Sequence, residues 1–239
     1  MLSKNQLKHI RKLNKKKYRQ ETGLFVAEGE KVVRELLNSG WKAHEIYATH
    51  APQDIPHTPI KQSLLNSVSH LFTASPILAI FHMPKYKQTP IGGHGFSIAL
   101  DSIADPGNLG TIIRLCDWFG IKNIYCSPNT VDCFNPKVVQ STMGSIARVQ
   151  CHYTDLVSLV HHCESEVYAA TLNGNSHYEQ TFSSNGLLVM GSESHGIGEE
   201  LLKKIRNRVT IPAFSTDTGP ESLNVANATA ILLNEIFRP

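Results

Sequence analysis

The sequence predicts an α/β protein in which a helix-covered parallel sheet follows a smaller α/β domain. In the C-terminal part, short and nearly continuous apolar runs alternate with segments of helical periodicity, which is typical of a parallel sheet buried on both faces. Before it, residues 84–95 contain two prolines and three glycines but few apolar side chains, which indicates a linker. A chain of 239 residues is long enough for one large domain or two smaller ones.

The first 20 residues form a basic arm, with eight lysine and arginine residues and no acid. Leu7, Ile10 and Leu13 recur at helical spacing, which predicts an amphipathic helix with a basic back. Such clustered charge favours contact with a polyanion, although a merely solvated helix face carries the same pattern. A mitochondrial presequence is a looser match, because such peptides favour arginine and serine over lysine.

A small α/β domain is predicted over residues 21–83, directly after the arm. Its short runs of β-branched and apolar residues predict strands, and apolar residues spaced three and four apart predict helices. The predicted elements are a strand at 23–27, a helix over 32–37 that ends near Gly40, strands at 45–48 and 77–82, and a helix around 64–68.

The C-terminal part, residues 96–239, predicts the parallel sheet. Ligands of such sheets bind in the loops beyond the carboxyl ends of the strands, so chemistry is expected in the strand-to-helix loops. Strands are predicted at 96–100, 121–126, 167–171, 187–190 and 208–211, with one helix from about 108 to 119 and a terminal helix that ends near 236.

The composition of the chain excludes several classes of protein. Apolar residues make up 41 % and charged residues 18 % of the chain, which excludes an intrinsically disordered protein. No apolar stretch approaches the roughly 18 residues of a membrane span, and the N-terminus has no apolar signal region, so we expect a cytoplasmic protein. The five cysteines show no C-x-x-C pair and the histidines no metal-ligand spacing, so we expect reduced thiols and no metal.

The first candidate loop, residues 105–110, leads into the helix that begins near Asn108. One face of this helix is apolar, whereas Thr111, Arg114 and Trp118 fall on the opposite face. An outward cation and indole either contact a ligand, a nucleic acid or a second subunit, or are simply exposed.

The second candidate loop, residues 191–198, is rich in glycine and carries Glu193 as an acceptor for a hydroxyl or amine. It lacks the spacing of a phosphate-binding P-loop and of a dinucleotide fingerprint. Ser194 and His195 make a weak match to a serine-hydrolase elbow, because adjacency alone does not make the histidine a base for the serine.

The third candidate loop runs from Ile211 to the start of the terminal helix. Ser222 and Asn224 are residue types that cap helices, so a purely structural role stays open for both.

Three motifs in these loops carry a resemblance to a known family. They are Asp105-Pro106-x-Asn108-x-Gly110-x-Ile112-Ile113-Arg114, then Gly191-Ser192-Glu193-x-x-Gly196, then Ile211-Pro212 followed by Glu221-Ser222-Leu223-Asn224-Val225. With them, the C-terminal two thirds resemble the SpoU family of the SPOUT superfamily, RNA ribose 2′-O-methyltransferases that use S-adenosylmethionine. Residues 18–21 and 24–29 resemble the substrate-binding domain that precedes the catalytic domain in many rRNA-directed members.

This resemblance implies a trefoil-knotted catalytic domain over 96–239, an RNA substrate-binding domain over 21–83, and a homodimer whose catalytic centre lies at the subunit boundary. It favours ribosomal over transfer RNA as the structured RNA substrate. It assigns S-adenosylmethionine binding to Thr171, Leu172, Asn173, Gly191, Ile211 and Leu223. In the basic arm, we predict RNA contacts for Lys12, Lys15, Lys16, Lys17 and Arg19.

For catalysis the resemblance assigns the central role to Arg114, surrounded by Asn108, Glu193, Ser222 and Asn224. A guanidinium scarcely loses its proton in proteins, so our hypothesis is that Arg114 grips the adjacent phosphate and stabilises the developing alkoxide. Glu193 either takes part directly or supports the loop. The chain departs from the family in a longer loop between Pro212 and Ser222 and in Ala213, where methionine is common.

Three other functions stay open at this point. A transfer RNA methyltransferase would share the catalytic motifs, and a non-catalytic RNA-binding relative would keep the basic arm without needing a cofactor pocket. A serine hydrolase would be built around Ser194.

Overall fold

The computed structural model of the chain describes residues 2–50, 52–86, 95–214 and 221–239. These residues form two compact units. The first unit runs up to Tyr86 and also includes Asp132–Arg148, and the second contains the remaining described residues. Most of the predicted linker, residues 87–94, lies outside the described residues. Among the described helices, none has the length and apolar character that a membrane crossing requires.

Up to residue 82 the chain forms four helices and four strands among the described residues. In order, they are α1 (Lys4–Lys12), α2 (Lys16–Thr22), β1 (Leu24–Glu28), α3 (Glu30–Asn38), β2 (Ala43–Ala48), β3 (Thr58–Pro59), α4 (Gln62–Val68) and β4 (Ile77–His82).

From residue 96 onward, strands and helices alternate. In order, they are β5 (Phe96–Asp101), α5 (Pro106–Trp118), β6 (Asn123–Cys126), α6 (Pro136–Ser141), β7 (Gln150–Tyr153), α7 (Leu156–His161), β8 (Glu166–Ser176), β9 (Gly186–Gly191), α8 (Glu199–Leu202), β10 (Asn207–Thr210) and α9 (Val225–Ile236), with a 3₁₀ turn at Ser145–Ala147 after α6.

The first unit is built on a four-stranded sheet in the order β1-β4-β2-β3. Strand β4 pairs antiparallel with β1 and β2, and β3 pairs parallel with β2. On one face, Ile10 and Leu13 from the N-terminal segment pack with Val26, Leu65 and Ile80 in a continuous buried cluster. The predicted small α/β domain is therefore confirmed as a fold.

The second unit contains a six-stranded sheet in the order β10-β8-β9-β5-β6-β7. Every neighbouring pair is parallel. The central strands β5 and β9 consist almost entirely of buried residues, as continuous apolar runs require when helices cover both faces. This confirms the predicted parallel sheet.

The N-terminal arm differs from its prediction, because it forms two helices rather than one. Ser3 caps α1 by accepting a hydrogen bond from the Gln6 N–H. The Gln6 side-chain oxygen in turn accepts a hydrogen bond from the Ser3 N–H. Leu13 is fully buried at the end of α1, and α2 begins only at Lys16. Between the two helices, the N–H groups of Leu13, Asn14 and Lys15 each donate to the carbonyl three residues earlier, so the chain makes a tight turn here instead of continuing as one α-helix.

The segment Asp132–Arg148 was predicted within residues 96–239, but its contacts lie in the first unit. Helix α6 packs on β1. The rings of Phe134 and Phe25 lie 4.9 Å apart between centroids, and Arg148 donates to Glu35 over 2.6 Å. The division by function stays a prediction: an arm over 1–20, a substrate-binding domain over 21–83, a linker over 84–95 and a methyltransferase domain over 96–239.

Arg19 lies at the centre of this packing, and its prediction as an RNA contact is wrong. Its side chain is 1 % exposed. The guanidinium donates to the Leu13 carbonyl over 2.8 Å and forms an ion pair with Asp132. A buried charge requires a partner and hydrogen bonds, and these contacts use Arg19 inside the fold instead of at the surface.

Asp132→Asn is expected to lower the free energy of unfolding by about 3 kcal/mol, because it leaves the Arg19 guanidinium buried without a counter-charge. The amide can still accept the 3.1 Å hydrogen bond that Asp132 receives from the Phe134 N–H, so the turn itself is spared. Chemical denaturation measures the change. Glu21→Gln is the control, since Glu21 forms an exposed pair with Lys17 at 4.0 Å and should contribute little. Equal effects of the two substitutions would contradict the role assigned to Asp132.

Candidate functional site

The candidate site lies in the second unit, at the carboxyl edge of its sheet. Strands β5 and β9 are neighbours, and Asp101 and Gly191 at their ends are register partners. The chain continues from Asp101 into the loop before α5 and from Gly191 into residues 192–198. Two of the predicted loops therefore leave the sheet side by side.

Helix α5 begins with a side-chain cap and has the two faces that its sequence predicts. Asp105 accepts a hydrogen bond from the Asn108 N–H over 2.8 Å, and Pro106 occupies the first turn, where a missing N–H costs nothing. The predicted apolar face is buried, whereas Arg114 and Trp118 are exposed, with Trp118 at 85 %. The residues of the buried face are Leu109, Ile112, Ile113 and Cys116.

The loop after β9 turns back on itself. The backbones of Ser192 and Gly196 form an antiparallel bridge with N–H to carbonyl distances of 3.1 and 2.9 Å. A Cβ at Gly191 would overlap the backbone of Gly196, so this position accepts only glycine. Gly196 has φ of 67°, in the left-handed region that glycine tolerates.

A chain of side-chain hydrogen bonds joins three of the predicted catalytic residues. Asn108 donates its amide N–H to Glu193, and its amide oxygen accepts from Asn224 Nδ2 over 2.9 Å. Asn224 Oδ1 in turn accepts from the N–H groups of Ala226 and Asn227, which makes Asn224 the cap of α9. The capping role left open for Asn224 is confirmed, and the network ties the start of α5, the loop after β9 and the start of α9 together.

The other two predicted catalytic residues lie outside this network. Arg114 and Ser222 are exposed, and neither forms a hydrogen bond or ion pair with the described part of the chain. Ser222 does not cap α9, because Asn224 does. The Arg114 guanidinium is thus left available for an anionic ligand.

Three of the predicted cofactor residues follow one another in a distorted part of β8. The register between β8 and β10 shifts here, so that Arg208 pairs with Ala169 but Val209 with Asn175. A Cβ on Gly174 would lie 2.7 Å from the Arg208 carbonyl oxygen, and Thr210 Oγ1 donates to the Leu172 carbonyl over 3.1 Å. The distorted segment 171–174 is therefore held against the end of β10, next to Ile211.

The chemistry of this segment suits a ligand with both polar and apolar parts. Thr171 Oγ1 is buried and has no hydrogen-bond partner, which is rare for a buried hydroxyl and calls for a ligand or water. Leu172 and Leu223 are 69 % and 45 % exposed. Leu172 follows Thr171 in the chain, and an exposed leucine next to an unpaired hydroxyl is what a small amphipathic ligand would cover. Residues 215–220 of the longer third loop lie outside the described residues.

No activated nucleophile is found at this edge among the described residues. Burial raises the pKa of the Cys116 thiol, which keeps it protonated. Ser194 Oγ and His195 Nδ1 lie 2.7 Å apart in a hydrogen bond. Within the described residues no carboxylate orients His195, so the pair lacks the third member of a hydrolase triad.

A cavity of about 390 Å³ opens beside this edge, and the sequence did not predict it. Its lining includes the carboxylates of Asp101, Asp155, Glu199 and Glu200, which disfavour a phosphate. The described residues contain no group of three histidine, cysteine or acidic side chains placed to hold a metal ion.

Comparison with known proteins gives two family matches. Residues 95–234 match the SpoU rRNA Methylase family, and residues 4–79 match the MRM3-like substrate binding domain. The chain is 32 % identical to the 23S rRNA (guanosine(2553)-2′-O)-methyltransferase of Bacillus subtilis, over 97 % of this chain and 96 % of that protein.

Two solved structures extend the likeness to the whole fold. A TrmH-family protein from Porphyromonas gingivalis is 37 % identical, with a TM-score of 0.87, and the alignment covers 100 % of this chain and 99 % of that one. An AdoMet-bound rRNA methyltransferase from Sinorhizobium meliloti is 29 % identical, also with a TM-score of 0.87, over 100 % and 96 % of the two chains.

Asn224→Ala is expected to lower the free energy of unfolding by about 1 kcal/mol, because it removes the cap of α9. Asn224→Asp should lose less stability, since a carboxylate still accepts from both capped N–H groups and only the hydrogen bond to Asn108 is removed. Thermal unfolding distinguishes the two variants. Asn227→Ala, an exposed change in the same helical turn, is the control and should cost nothing. If Asn224→Asp lost as much stability as Asn224→Ala, the hydrogen bond to Asn108 and not the cap would be the main contribution.

Proposed function

Because the chain belongs to the SpoU rRNA methylase family, we propose that it transfers the methyl group of S-adenosylmethionine to a ribose 2′-hydroxyl of ribosomal RNA. The observation that carries this proposal is the hydrogen-bonded network of Asn108, Glu193 and Asn224, which joins all three family motifs at one edge of the sheet. A non-catalytic RNA-binding relative would have no need of this arrangement.

The residues present fit S-adenosylmethionine, which supplies an electrophilic sulfonium methyl group when bound. Thr171 Oγ1 offers a buried, unpaired hydroxyl to a polar group of the cofactor. Gly191 and Gly174 keep the backbone free of side chains where the segments approach each other closely. Leu172 and Leu223 provide apolar surface, and Asn173 and Ile211 complete the proposed pocket.

Arg114 is the proposed catalytic residue that meets the substrate. Its guanidinium is exposed and has no partner among the described residues, and it is charged at any physiological pH. A planar fork of donors binds a phosphate in bidentate fashion and stabilises negative charge as the ribose oxygen loses its proton. The guanidinium cannot accept that proton, so Arg114 acts through charge and orientation.

Glu193 is proposed as a positioning residue rather than an acid or base. Its carboxylate accepts a hydrogen bond from the side-chain N–H of Asn108. The side-chain oxygen of Asn108 therefore faces Asn224. A held amide of this kind orients a neighbouring substrate group without reorganising during the reaction. Ser222, which is exposed at the same end of α9, is proposed to contact the RNA or the cofactor directly.

The first unit is proposed to select the RNA. Lys12, Lys15, Lys16 and Lys17 are all exposed on the N-terminal helices, and contacts of this kind give affinity that falls with added salt. Ribosomal RNA is favoured over transfer RNA because two of the relatives described above, those from Bacillus subtilis and Sinorhizobium meliloti, are named as rRNA methyltransferases.

Three further features of the proposal follow from the family. They are a trefoil knot in the second unit, a homodimer with the exposed face of α5 near its boundary, and a cytoplasmic location. Exposed Trp118 supports the second of these, since a solvent-facing indole is commonly covered by a partner.

Arg114→Ala is expected to slow single-turnover methyl transfer to rRNA by about 100-fold, because one preorganised donor to the developing charge is lost. Arg114→Lys should keep part of the rate, since the charge stays but the fork does not. Radiolabelled S-adenosylmethionine with bulk rRNA measures the transfer, and calorimetry should show unchanged cofactor binding. Arg206→Ala, at another exposed arginine, is the matched control. Near-full turnover by Arg114→Lys would exclude a bidentate contact.

Leu223→Arg is expected to abolish S-adenosylmethionine binding, because a long cation would fill the apolar side of the pocket and repel the sulfonium. Isothermal titration calorimetry measures the loss. Phe72→Arg is the control, since Phe72 is a fully exposed aromatic of the first unit and outside the proposed pocket. Unchanged binding by Leu223→Arg would remove Leu223 from the pocket.

A further inference from the structure

Aromatic side chains gather on one face of the first unit, although they come from four separate elements. His9 from α1 and Tyr18 from α2 have ring centroids 5.5 Å apart, and a 2.7 Å hydrogen bond joins His9 Nδ1 to the Tyr18 hydroxyl. His44 from β2 and His82 from β4 form an edge-to-face pair with centroids 5.3 Å apart. We call these four residues the histidine patch.

The two pairs of the histidine patch are neighbours. His44 contributes to the electrostatic environment of His9, as does Glu45. The adjacent backbones of β2 and β4 hold the second pair in place, since the His82 N–H donates to the Lys42 carbonyl over 3.1 Å. His44 and His82 are exposed, while His9 and Tyr18 are half-buried. The patch is therefore a surface of aromatic rings at one end of the paired strands β2 and β4.

Positive charge lies beside the Tyr18 end of the histidine patch. The Lys12 ammonium lies 5.2 Å from the centroid of the Tyr18 ring, and the exposed lysines of α2 begin two residues before Tyr18. Glu45 is the acid that acts on His9, and it is engaged by the hydroxyl of Tyr47. Burial lowers the pKa of His9, with smaller effects of His44 and Lys12 in the same direction, which favours the neutral ring at pH 7.

We propose that the histidine patch is a docking surface for unpaired bases of the RNA substrate, with the neighbouring lysines binding the phosphates on either side. The proposal rests on the proposed function, for which it names the part of the first unit that contacts RNA. Bases stack on histidine and tyrosine rings, and cations beside those rings track the backbone.

The arrangement fits RNA better than a protein partner. Protein interfaces are centred on large buried apolar anchors and are depleted of lysine, whereas this face combines small polar rings with lysines. Unstacked bases offer flat surfaces to such rings, and double-stranded RNA does not. The expected ligand is therefore a loop, bulge or single-stranded segment of structured RNA.

The test compares His44→Ala/His82→Ala with His161→Ala/His162→Ala. The control pair is also exposed and edge-to-face, with centroids 5.0 Å apart, but lies in the second unit. Binding to protein-free large-subunit rRNA is measured by filter retention at several salt concentrations, and methyl transfer from S-adenosylmethionine is followed in parallel. Chemical denaturation verifies that both variants fold.

His44→Ala/His82→Ala is expected to weaken RNA binding about tenfold at every salt concentration, because two rings on which bases stack are removed. The slope of affinity against salt should stay unchanged, because no phosphate contact is removed. Lys15→Gln/Lys16→Gln should instead reduce that slope. The control pair should bind like the original protein.

Three results would overturn the proposal: unchanged affinity of His44→Ala/His82→Ala for protein-free rRNA, an equal loss of affinity in the control pair, or a reduced salt slope in His44→Ala/His82→Ala. The first result would favour a protein partner for the patch. A chain that binds rRNA through the patch but transfers no methyl group would refute the proposed function alone.

Discussion

The parallel pairing of β5 with β9 is the constraint on which the candidate site depends. Its register puts Asp101 level with Gly191, so both following segments leave the sheet at one edge. Strands β6 and β7 extend the sheet on one side of this pair, and β8 and β10 extend it on the other. Connections that diverge from a central pair leave a crevice between them. Asn108 and Glu193, 85 positions apart in sequence, meet there because each follows one of the two strand ends.

Much of this fold could be predicted from the chain, because its main elements carry strong patterns. The buried strands are nearly continuous apolar runs, and α5 begins with an aspartate cap followed by a proline. The elements that escaped prediction are short: α6 and α7 have six residues, β7 and α8 four and β3 two. Fewer than two helical turns give no periodicity to detect. Periodicity misled at the arm, because the apolar spacing runs to Leu13 and does not record the turn between α1 and α2.

Individual side chains show the same contrast between features that a local motif records and features that depend on a partner far away in the sequence. Asn108, Glu193 and Asn224 belong to local motifs, and the sheet then brings those motifs together. Arg19 belongs to a basic run and has the same local pattern as its exposed neighbours, so only its partner 113 positions away shows that it is buried. The aromatic face of the first unit was missed for a related reason. Its two exposed histidines, His44 and His82, lie on strands that become neighbours only when β2 and β4 pair, and no local window contains both.

The crossing of Asp132–Arg148 into the first unit has a consequence for how the protein is made. A ribosome delivers the chain from its N-terminus, and domains ordinarily fold as they emerge. Here the strands of the first sheet are complete at His82, yet Asp132, the counter-ion of Arg19, emerges only after β5, α5 and β6 have been synthesised. Until then Arg19 lacks its acidic partner, and β1 lacks the helix α6 that packs on it. The first unit therefore cannot reach its final packing co-translationally as an independent N-terminal domain, and must wait for a segment encoded within the second.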